Sequence, residues 1–147
     1  MSSENSGAIV VIYKISNGQI KYLLPTQKNG MINFVGGAKE VEDRTFESTI
    51  RREISEETNL RGGDYSIRQT DIVHKFVYGG HKEERAGKDW ENKVFIAEVH
   101  PDLEVSAKGD TGELNWYTEE EAIEKFSFKD MRQIFEEAVE VVKRKHE

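Results

Sequence analysis

The sequence contains no cysteine, no long apolar run and no excess of basic residues. Without cysteine it can form no disulfide framework, no zinc–thiolate site and no thiol nucleophile, which fits a reducing compartment. No stretch approaches the length that spans a membrane, and the polar residues 1–7 do not resemble a signal peptide. We therefore expect a cytoplasmic protein without membrane contact, whose residues 1–7 are disordered.

The charge balance limits the partners of this protein. The chain has 21 basic and 28 acidic residues, a formal net charge of −7. This charge argues against broad binding to a nucleic-acid backbone, so we expect no extended nucleic acid as a partner. A small polyanion could still bind if metal ions and a few placed cations met its charge. With 147 residues, 36% of them hydrophobic, the chain is long enough for one domain (1–147) with a real core.

Residues 43–58 organise the rest of the chain, and no glycine or proline interrupts them. Three apolar residues recur there at four-residue spacing: Phe46, Ile50 and Ile54. This period predicts an amphipathic helix behind the Gly36–Gly37 loop. Asp43 or Thr45 can cap its start, and Asn59 can end it because asparagine tolerates the left-handed conformation.

Three glutamates lie close together at the end of this helix. At about 100° per residue, Glu53 and Glu57 are about 40° apart, and Glu56 lies about 60° beyond Glu53. Glu53 and Glu57 border the apolar arc, so they are partly desolvated and repel each other unless protons or cations intervene. A hard divalent cation, above all Mg²⁺, relieves this repulsion. The alternative is a merely charged helix in which Arg52 and Glu56 form an ordinary ion pair.

The stretch from Gly37 to Leu60 resembles the signature box of the Nudix hydrolases. In that box a glycine is followed by Glu, then by Arg-Glu, an aliphatic residue, Glu-Glu, Gly and an aliphatic residue. The matching residues are Gly37, Glu40, Arg52, Glu53, Ile54, Glu56, Glu57 and Leu60. The resemblance implies a metal-dependent enzyme that hydrolyses phosphoric anhydrides.

Three positions depart from the box. The first box glutamate is Asp43 or is lost to Arg44. One extra residue lies between the glycine and Arg52, and the late glycine is Asn59. The altered first acid and the extra residue favour the alternative of a non-catalytic, Nudix-like nucleotide-binding module, whereas the intact glutamates of the helix favour catalysis. A structural Ca²⁺-binding domain is disfavoured because no loop is dense in oxygen ligands.

The resemblance also implies roles for individual residues. The implied metal ligands are the backbone carbonyl of Gly36 and the side chains of Glu53, Glu56, Glu57 and Glu113. Glu53 is the candidate general base or organiser, and Arg52 would orient it or neutralise the cluster. Glu113, shortly before a tryptophan, is a candidate for catalysis or metal binding, and its alternative is a solvated acid at a strand edge. The expected cofactor is Mg²⁺, which Mn²⁺ could replace.

Contacts with a substrate are expected on both sides of the glycine loop. Lys28 and Lys39 flank this loop and could meet a diphosphate, although each also fits an ordinary surface lysine. Tyr78 could stack on a nucleobase or simply pack. The substrate that the resemblance implies is a nucleoside diphosphate linked to another group, with a nucleoside triphosphate or a dinucleoside polyphosphate first. We expect a monomer or homodimer with a small-molecule nucleotide as its partner.

The remaining sequence predicts a mixed α/β fold. Six segments are predicted to be strands: 8–15, 19–25, 31–35, 65–78, 92–99 and 114–117. Asn17-Gly18 predicts a hairpin turn, residues 118–121 have the form of a capping box, and Ser127 is expected to cap a final helix. These elements indicate a mixed sheet between helices, which agrees with the Nudix-like α/β/α sandwich that the resemblance implies.

Overall fold

A six-stranded sheet and three α-helices make up the computed structural model, which describes residues 6–27, 29–77, 89–109 and 111–147. The strands are β1 (Ser6–Ser16), β2 (Gln19–Thr26), β3 (Val35–Ala38), β4 (Tyr65–Val77), β5 (Asp89–Val99) and β6 (Glu113–Tyr117). The helices are α1 (Phe46–Glu57), α2 (Glu119–Lys125) and α3 (Lys129–Lys145), and a 3-10 turn spans Gly62–Asp64. Within the described ranges, no helix is long and apolar enough to cross a membrane.

Strand β1 lies inside the sheet because it is apolar on both faces. Its residues from Val10 to Tyr13 are all buried, as is typical of a strand covered on both sides. It pairs in parallel with β5 and antiparallel with β2 and β3. The strand order is β4-β5-β1-β2-β6, with β3 alongside β1. The predicted mixed sheet is therefore confirmed.

Helices cover both faces of this sheet. Successive side chains of a strand point to opposite faces. Val11 accordingly packs in the core that contains Phe135 of α3. Its neighbour Val10 packs in the second core, which contains Ile50 of α1. The α/β/α sandwich is confirmed, and α1 is held alone against one face, beside β1 and β3.

Two local signals placed turns and caps correctly. Asn17 and Gly18 have φ of 53° and 76°, and both positive values suit the two-residue hairpin turn between β1 and β2. Thr118 forms the predicted capping box with Glu121 at the start of α2. These signals are local, since each depends on neighbouring residues alone.

The prediction of a strand at 31–35 is wrong. Within that segment Ile32 makes only an isolated bridge to Thr26, and β3 begins at Val35. The strand instead includes both glycines, and the backbone of Gly36 lies very close to that of β1. A Cβ at Gly36 would come within 2.3 Å of the Ala8 carbonyl oxygen. The glycine loop of the sequence is thus largely a strand.

Two further boundaries differ from the sequence predictions. Gly7 is paired with β3 and β5, so the expected disorder of residues 6 and 7 is wrong. The final helix is not capped by Ser127: its N-cap is Phe128, which makes no side-chain cap bond. The amphipathic stripe of α3, which packs on the sheet, determines where this helix lies.

Candidate active site

Helix α1 presents its acidic residues to the glycines of β3. The hydroxyl of Thr45 accepts a hydrogen bond from the Ser48 N–H at 3.0 Å, so Thr45, one of the two predicted caps, is the N-cap. Ile50 and Ile54 are buried under the sheet. Their burial turns the neighbouring face of the helix toward β3, as the helical period predicted.

Two glutamates of α1 touch the two glycines of β3. The N–H of Gly36 donates to Glu57 Oε2 at 3.2 Å. A Cβ at Gly37 would lie 2.7 Å from each carboxylate oxygen of Glu53, closer than any side chain allows. Glycine thus leaves room for the carboxylate of Glu53, which any larger residue at this position would displace.

Burial makes these two carboxylates unusual. Burial raises the pKa of Glu53 to about 7, although the Arg52 guanidinium acts in the opposite direction. Burial also raises the pKa of Glu57 to about 7, and the nearby charge of Glu53 adds to this rise. Two desolvated carboxylates one helical turn apart are costly as anions, and oxygen-seeking divalent cations are the ligands that would offset that cost.

Glu56, the third glutamate, is much more exposed than Glu53 and shares the same Arg52 nitrogen with it. Its side chain is 57% exposed and lies 3.3 Å from Nη1 of Arg52, the ion pair that an ordinary charged helix would also form. Among the residues that the structure describes, no three carboxylate or imidazole groups form a ready-made metal site. The chemistry of the donor set fits a divalent cation through Glu53 and Glu57, and Glu56 would have to leave Arg52 to join them.

Arg52 connects the helix to the loop before it. Its Nη2 donates to the Ala38 carbonyl at 2.9 Å and its Nη1 lies 3.3 Å from Glu53 Oε2. It also forms an ion pair with Glu40 at 3.0 Å. The side chain is only 25% exposed, and its acidic partners raise its pKa. Arg52 therefore contacts both the end of β3 and the carboxylate of Glu53.

Asp43 takes the position of the first box acid, the point that the sequence left open. Its carboxylate accepts from Arg52 Nε at 3.1 Å and from Arg52 Nη2 at 2.9 Å. It is buried, it also accepts from the Thr49 hydroxyl at 3.1 Å, and the Arg52 guanidinium lowers its pKa to about 2. Arg44 is exposed. Asp43 is shorter than the glutamate of the box, but it still hydrogen-bonds to Arg52 despite the extra residue between the glycine and the arginine.

A cleft of about 760 Å³ opens beside this cluster. Its lining residues in the described part of the chain are Pro25, Gln27, Asn33, Phe34, Gly36, Glu57, Gly109, Thr111 and Gly112. Glu113 follows at the start of β6, exposed and paired with Thr26 through the backbone. It is the next residue after Gly112 of the cleft wall and is not itself among the described lining residues.

Of the three predicted substrate-binding residues, the structure describes only Lys39. The ammonium of Lys39 donates to the Asp43 carbonyl at 2.7 Å, so it holds the loop and does not point into the cleft. Lys28 and Tyr78 lie outside the described residues. The cleft residues Gln27, Asn33 and Thr111 were missed, because they come from separate loops and share no sequence pattern.

The prediction that Asn59 is left-handed is wrong. Helix α1 ends at Glu57 with the extended residue Thr58 as its C-cap. Among the described residues other than glycine, only Asn17 has a positive φ. The side chain of Asn59 is instead hydrogen-bonded to the loop before β6.

An α/β/α sandwich in which a glutamate-bearing helix meets a glycine pair defines the class of Nudix-fold proteins. The sequence matches the NUDIX domain family over residues 5–138, and the chain therefore belongs to this family. Membership in this family supports a hydrolase. No curated protein sequence matches the chain.

Solved structures support the fold independently. A C. elegans Ap4A hydrolase, as a binary complex, is 19% identical with a TM-score of 0.76, and the match covers 93% of this chain and 96% of that one. A Nudix hydrolase from M. smegmatis is 18% identical with a TM-score of 0.77, over 96% of this chain and 87% of that one. The E. coli dihydroneopterin triphosphate pyrophosphohydrolase is 16% identical with a TM-score of 0.74, over 90% and 93%. At these identities the likeness concerns the fold.

Proposed function

We propose that this protein is a divalent-metal-dependent hydrolase that cleaves a pyrophosphate bond in a small nucleotide. The observation that carries the proposal is the placement of Glu53 and Glu57, both largely buried, against the Gly36–Gly37 pair at the edge of a cleft. A purely structural helix would gain nothing from two buried acids that repel each other.

The electrostatics of the cleft support a metal cofactor. Its described lining includes Glu57 but no lysine or arginine. A diphosphate would therefore meet negative charge on this wall, and cations must accompany it or precede it. We assign four groups that would hold Mg²⁺ or Mn²⁺: the side chains of Glu53, Glu56 and Glu57 and the carbonyl of Gly36. Glu56 would first have to leave Arg52. When bound, the metal would polarise phosphate oxygens and acidify a water molecule.

The chain's own residues would then serve the hydrolytic step. A water oxygen forms a bond to one phosphorus, the bridging P–O bond breaks, and the leaving phosphate keeps the electron pair. We assign Glu53 as the group that accepts the proton of that water, because it is a largely buried acid of the helix and contacts Arg52. Asp43 in turn holds Arg52. We assign Glu113, the exposed neighbour of the lining residue Gly112, as a further acid near the substrate.

The dimensions of the cleft support a nucleotide as substrate. Its volume of about 760 Å³ falls within the range of roughly 300–1,000 Å³ that is typical of small-ligand sites. Gln27 and Asn33 offer amide groups along its wall. We place a nucleoside triphosphate or a dinucleoside polyphosphate first, and the second of these is the kind of substrate named for one structural neighbour, the Ap4A hydrolase.

The proposal is tested with a panel of ATP, dATP, diadenosine tetraphosphate and ADP-ribose in the presence of Mg²⁺. The products should be two phosphate-bearing fragments, separated by ion-exchange chromatography and identified by mass spectrometry. Reaction in H₂¹⁸O should label one fragment and so identify the phosphorus that is attacked. Turnover that persists after removal of divalent metal, or no turnover of any panel member, would contradict the proposal.

The Asp43–Arg52 pair answers the main argument for a non-catalytic binding module. That alternative was suggested by the altered first acid and the extra residue of the box. Since Asp43 still binds Arg52 through two hydrogen bonds, the altered segment keeps the arginine in place beside Glu53. The structure thus offers no specific observation in favour of the module.

A further inference from the structure

A distant part of the chain, residues 104–109, caps the C-terminal end of α1, and we call it the capping segment. The last carbonyls of a helix lack partners within the helix. Helix α1 has no basic residue in its last turn. Lys108 supplies two donors: its backbone N–H bonds to the Glu57 carbonyl at 3.0 Å, and its Nζ bonds to the Ser55 carbonyl at 3.1 Å. The end of the helix that carries Glu57 is therefore fixed from outside.

Asn59 holds the same segment from the chain that follows α1. Its Nδ2 donates to the Glu104 carbonyl at 3.0 Å, and its Oδ1 accepts from the Ser106 N–H at 2.9 Å. Its backbone N–H also donates to the Ser106 carbonyl at 3.1 Å. A glycine at this position could make only the backbone bond. The two side-chain bonds are thus specific to the asparagine of this chain.

The capping segment continues into the wall of the cleft. The hydroxyl of Thr111 donates to the Lys108 carbonyl at 2.7 Å. Gly109, Thr111 and Gly112 then line the cleft together with Glu57. The distance between this wall and the carboxylate cluster consequently depends on how Lys108 and Asn59 anchor the segment.

The charge of Lys108 also suits its position. The C-terminal end of a helix carries partial negative charge, and a cation there is favourable. In α1 the last turn adds the acids Glu56 and Glu57 to that negative end. The ammonium of Lys108, bonded to the Ser55 carbonyl, offsets this unfavourable charge.

We propose that Asn59 and Lys108 are positioning residues for the hydrolysis. They hold the capping segment so that the cleft wall and Glu57 face the same substrate, and neither side chain touches the reacting atoms. This inference rests on the proposed function. Since the buried Ile54 and the backbone bond from Lys108 to Glu57 remain in both cases, loss of either side chain should weaken substrate binding more than it slows the chemical step.

The test compares Asn59→Gly and Lys108→Met with the parent protein. Lys108→Arg keeps the charge and a donor, and Lys129→Met, at the exposed start of α3, removes a charge elsewhere. We expect KM for diadenosine tetraphosphate and dATP with Mg²⁺ to rise ~5- to 10-fold in the two test variants, with kcat within ~3-fold of the parent. Lys108→Arg should recover most of the loss, and Lys129→Met should match the parent.

Amide hydrogen exchange gives a readout that does not need turnover. The amides of Ser106 and Lys108 should exchange faster in both test variants, while those of β1 stay protected. If KM stays within ~2-fold of the parent in both variants although this exchange rises, the positioning role is overturned. A ~5- to 10-fold fall of kcat with unchanged KM would also overturn it.

Failure of the proposed function is recognised separately. If the parent protein hydrolyses no member of the substrate panel, the hydrolase assignment has failed, and calorimetric binding of ADP then tests the positioning role. Weaker ADP binding by Asn59→Gly and Lys108→Met than by the parent and by Lys129→Met supports it. Equal affinity in all four proteins, or no binding by the parent, overturns it.

Discussion

The carboxylate of Asp43 accepts two hydrogen bonds from the guanidinium of Arg52, at 3.1 Å to Nε and 2.9 Å to Nη2. This fork is the link between the glycine-bearing strand and the acidic end of α1, because Arg52 also bonds to the Ala38 carbonyl and lies against Glu53. Asp43 thus contacts the arginine of the box although it is shorter than glutamate and one extra residue separates the glycine from Arg52. The site therefore depends on a pair that the spacing of the sequence alone did not identify.

Replacing Asp43 with Asn should destabilise the fold in a pH-dependent way. The pKa of Asp43 is lowered to about 2 in the folded protein, which corresponds to about 2 kcal/mol of stability at neutral pH. Because a lowered pKa stabilises only the ionised form, this contribution is complete above the unfolded pKa and is lost as the pH falls toward 2. Urea unfolding should show the difference between parent and variant falling to about half at pH 3.

The exposed acid Asp102 provides the control for this prediction, since its side chain is 90% exposed. Asp102→Asn should leave the free energy of unfolding unchanged at both pH values. If Asp43→Asn costs as much at pH 3 as at pH 7, the contribution of Asp43 is not ionic.

Glu57→Gln should remove most of the activity while the fold is kept. The amide keeps the shape of the side chain and the contact with the Gly36 N–H, but it loses the charge that would hold a divalent cation. We expect kcat to fall at least ~10²-fold. Glu47→Gln, on the exposed face of the same helix, should turn over like the parent. Near-normal kcat of Glu57→Gln at saturating Mg²⁺ would remove Glu57 from the ligand set.

Magnesium should raise the melting temperature beyond the effect of ionic strength. A ligand that binds only the folded state at 100 times its Kd adds about 2.7 kcal/mol of stability. Scanning calorimetry with MgCl₂ and with NaCl at matched ionic strength separates this effect from screening. A variant with Glu53, Glu56 and Glu57 all changed to Gln should lose the increment. Equal responses of both proteins to both salts would point to a merely solvated acidic face.

Gly37→Ala should disturb the site without disturbing the sheet. The added methyl group would lie 2.7 Å from the carboxylate oxygens of Glu53 and must push that side chain aside. Because the contact is with the far end of a flexible side chain, we expect little loss of stability but weaker Mg²⁺ activation of turnover. Gly63→Ala is the matched control, because nothing lies within 4 Å of its added Cβ. If the two variants have the same Mg²⁺ dependence, Glu53 does not need its place against Gly37.

Much of the fold could be predicted because its signals are local. The spacing of Phe46, Ile50 and Ile54 located the helix, and Asn17-Gly18 located the first hairpin. Each of these depends on hydrophobic period or on the backbone preferences of neighbouring residues. The same period placed Glu53 and Glu57 beside the apolar arc, and the structure has them largely buried there.

The sequence by itself determined that this chain would carry an acidic helix behind a glycine pair, since helical period and spacing are properties of the chain. Only the tertiary structure decided that Asp43 is the partner of Arg52, that Glu56 is exposed, and where β3 begins. It also decided that Lys108 caps α1 from across the loop. These contacts join residues distant in sequence, and their energies depend on burial and geometry that exist only once the sheet and its two helical layers have packed.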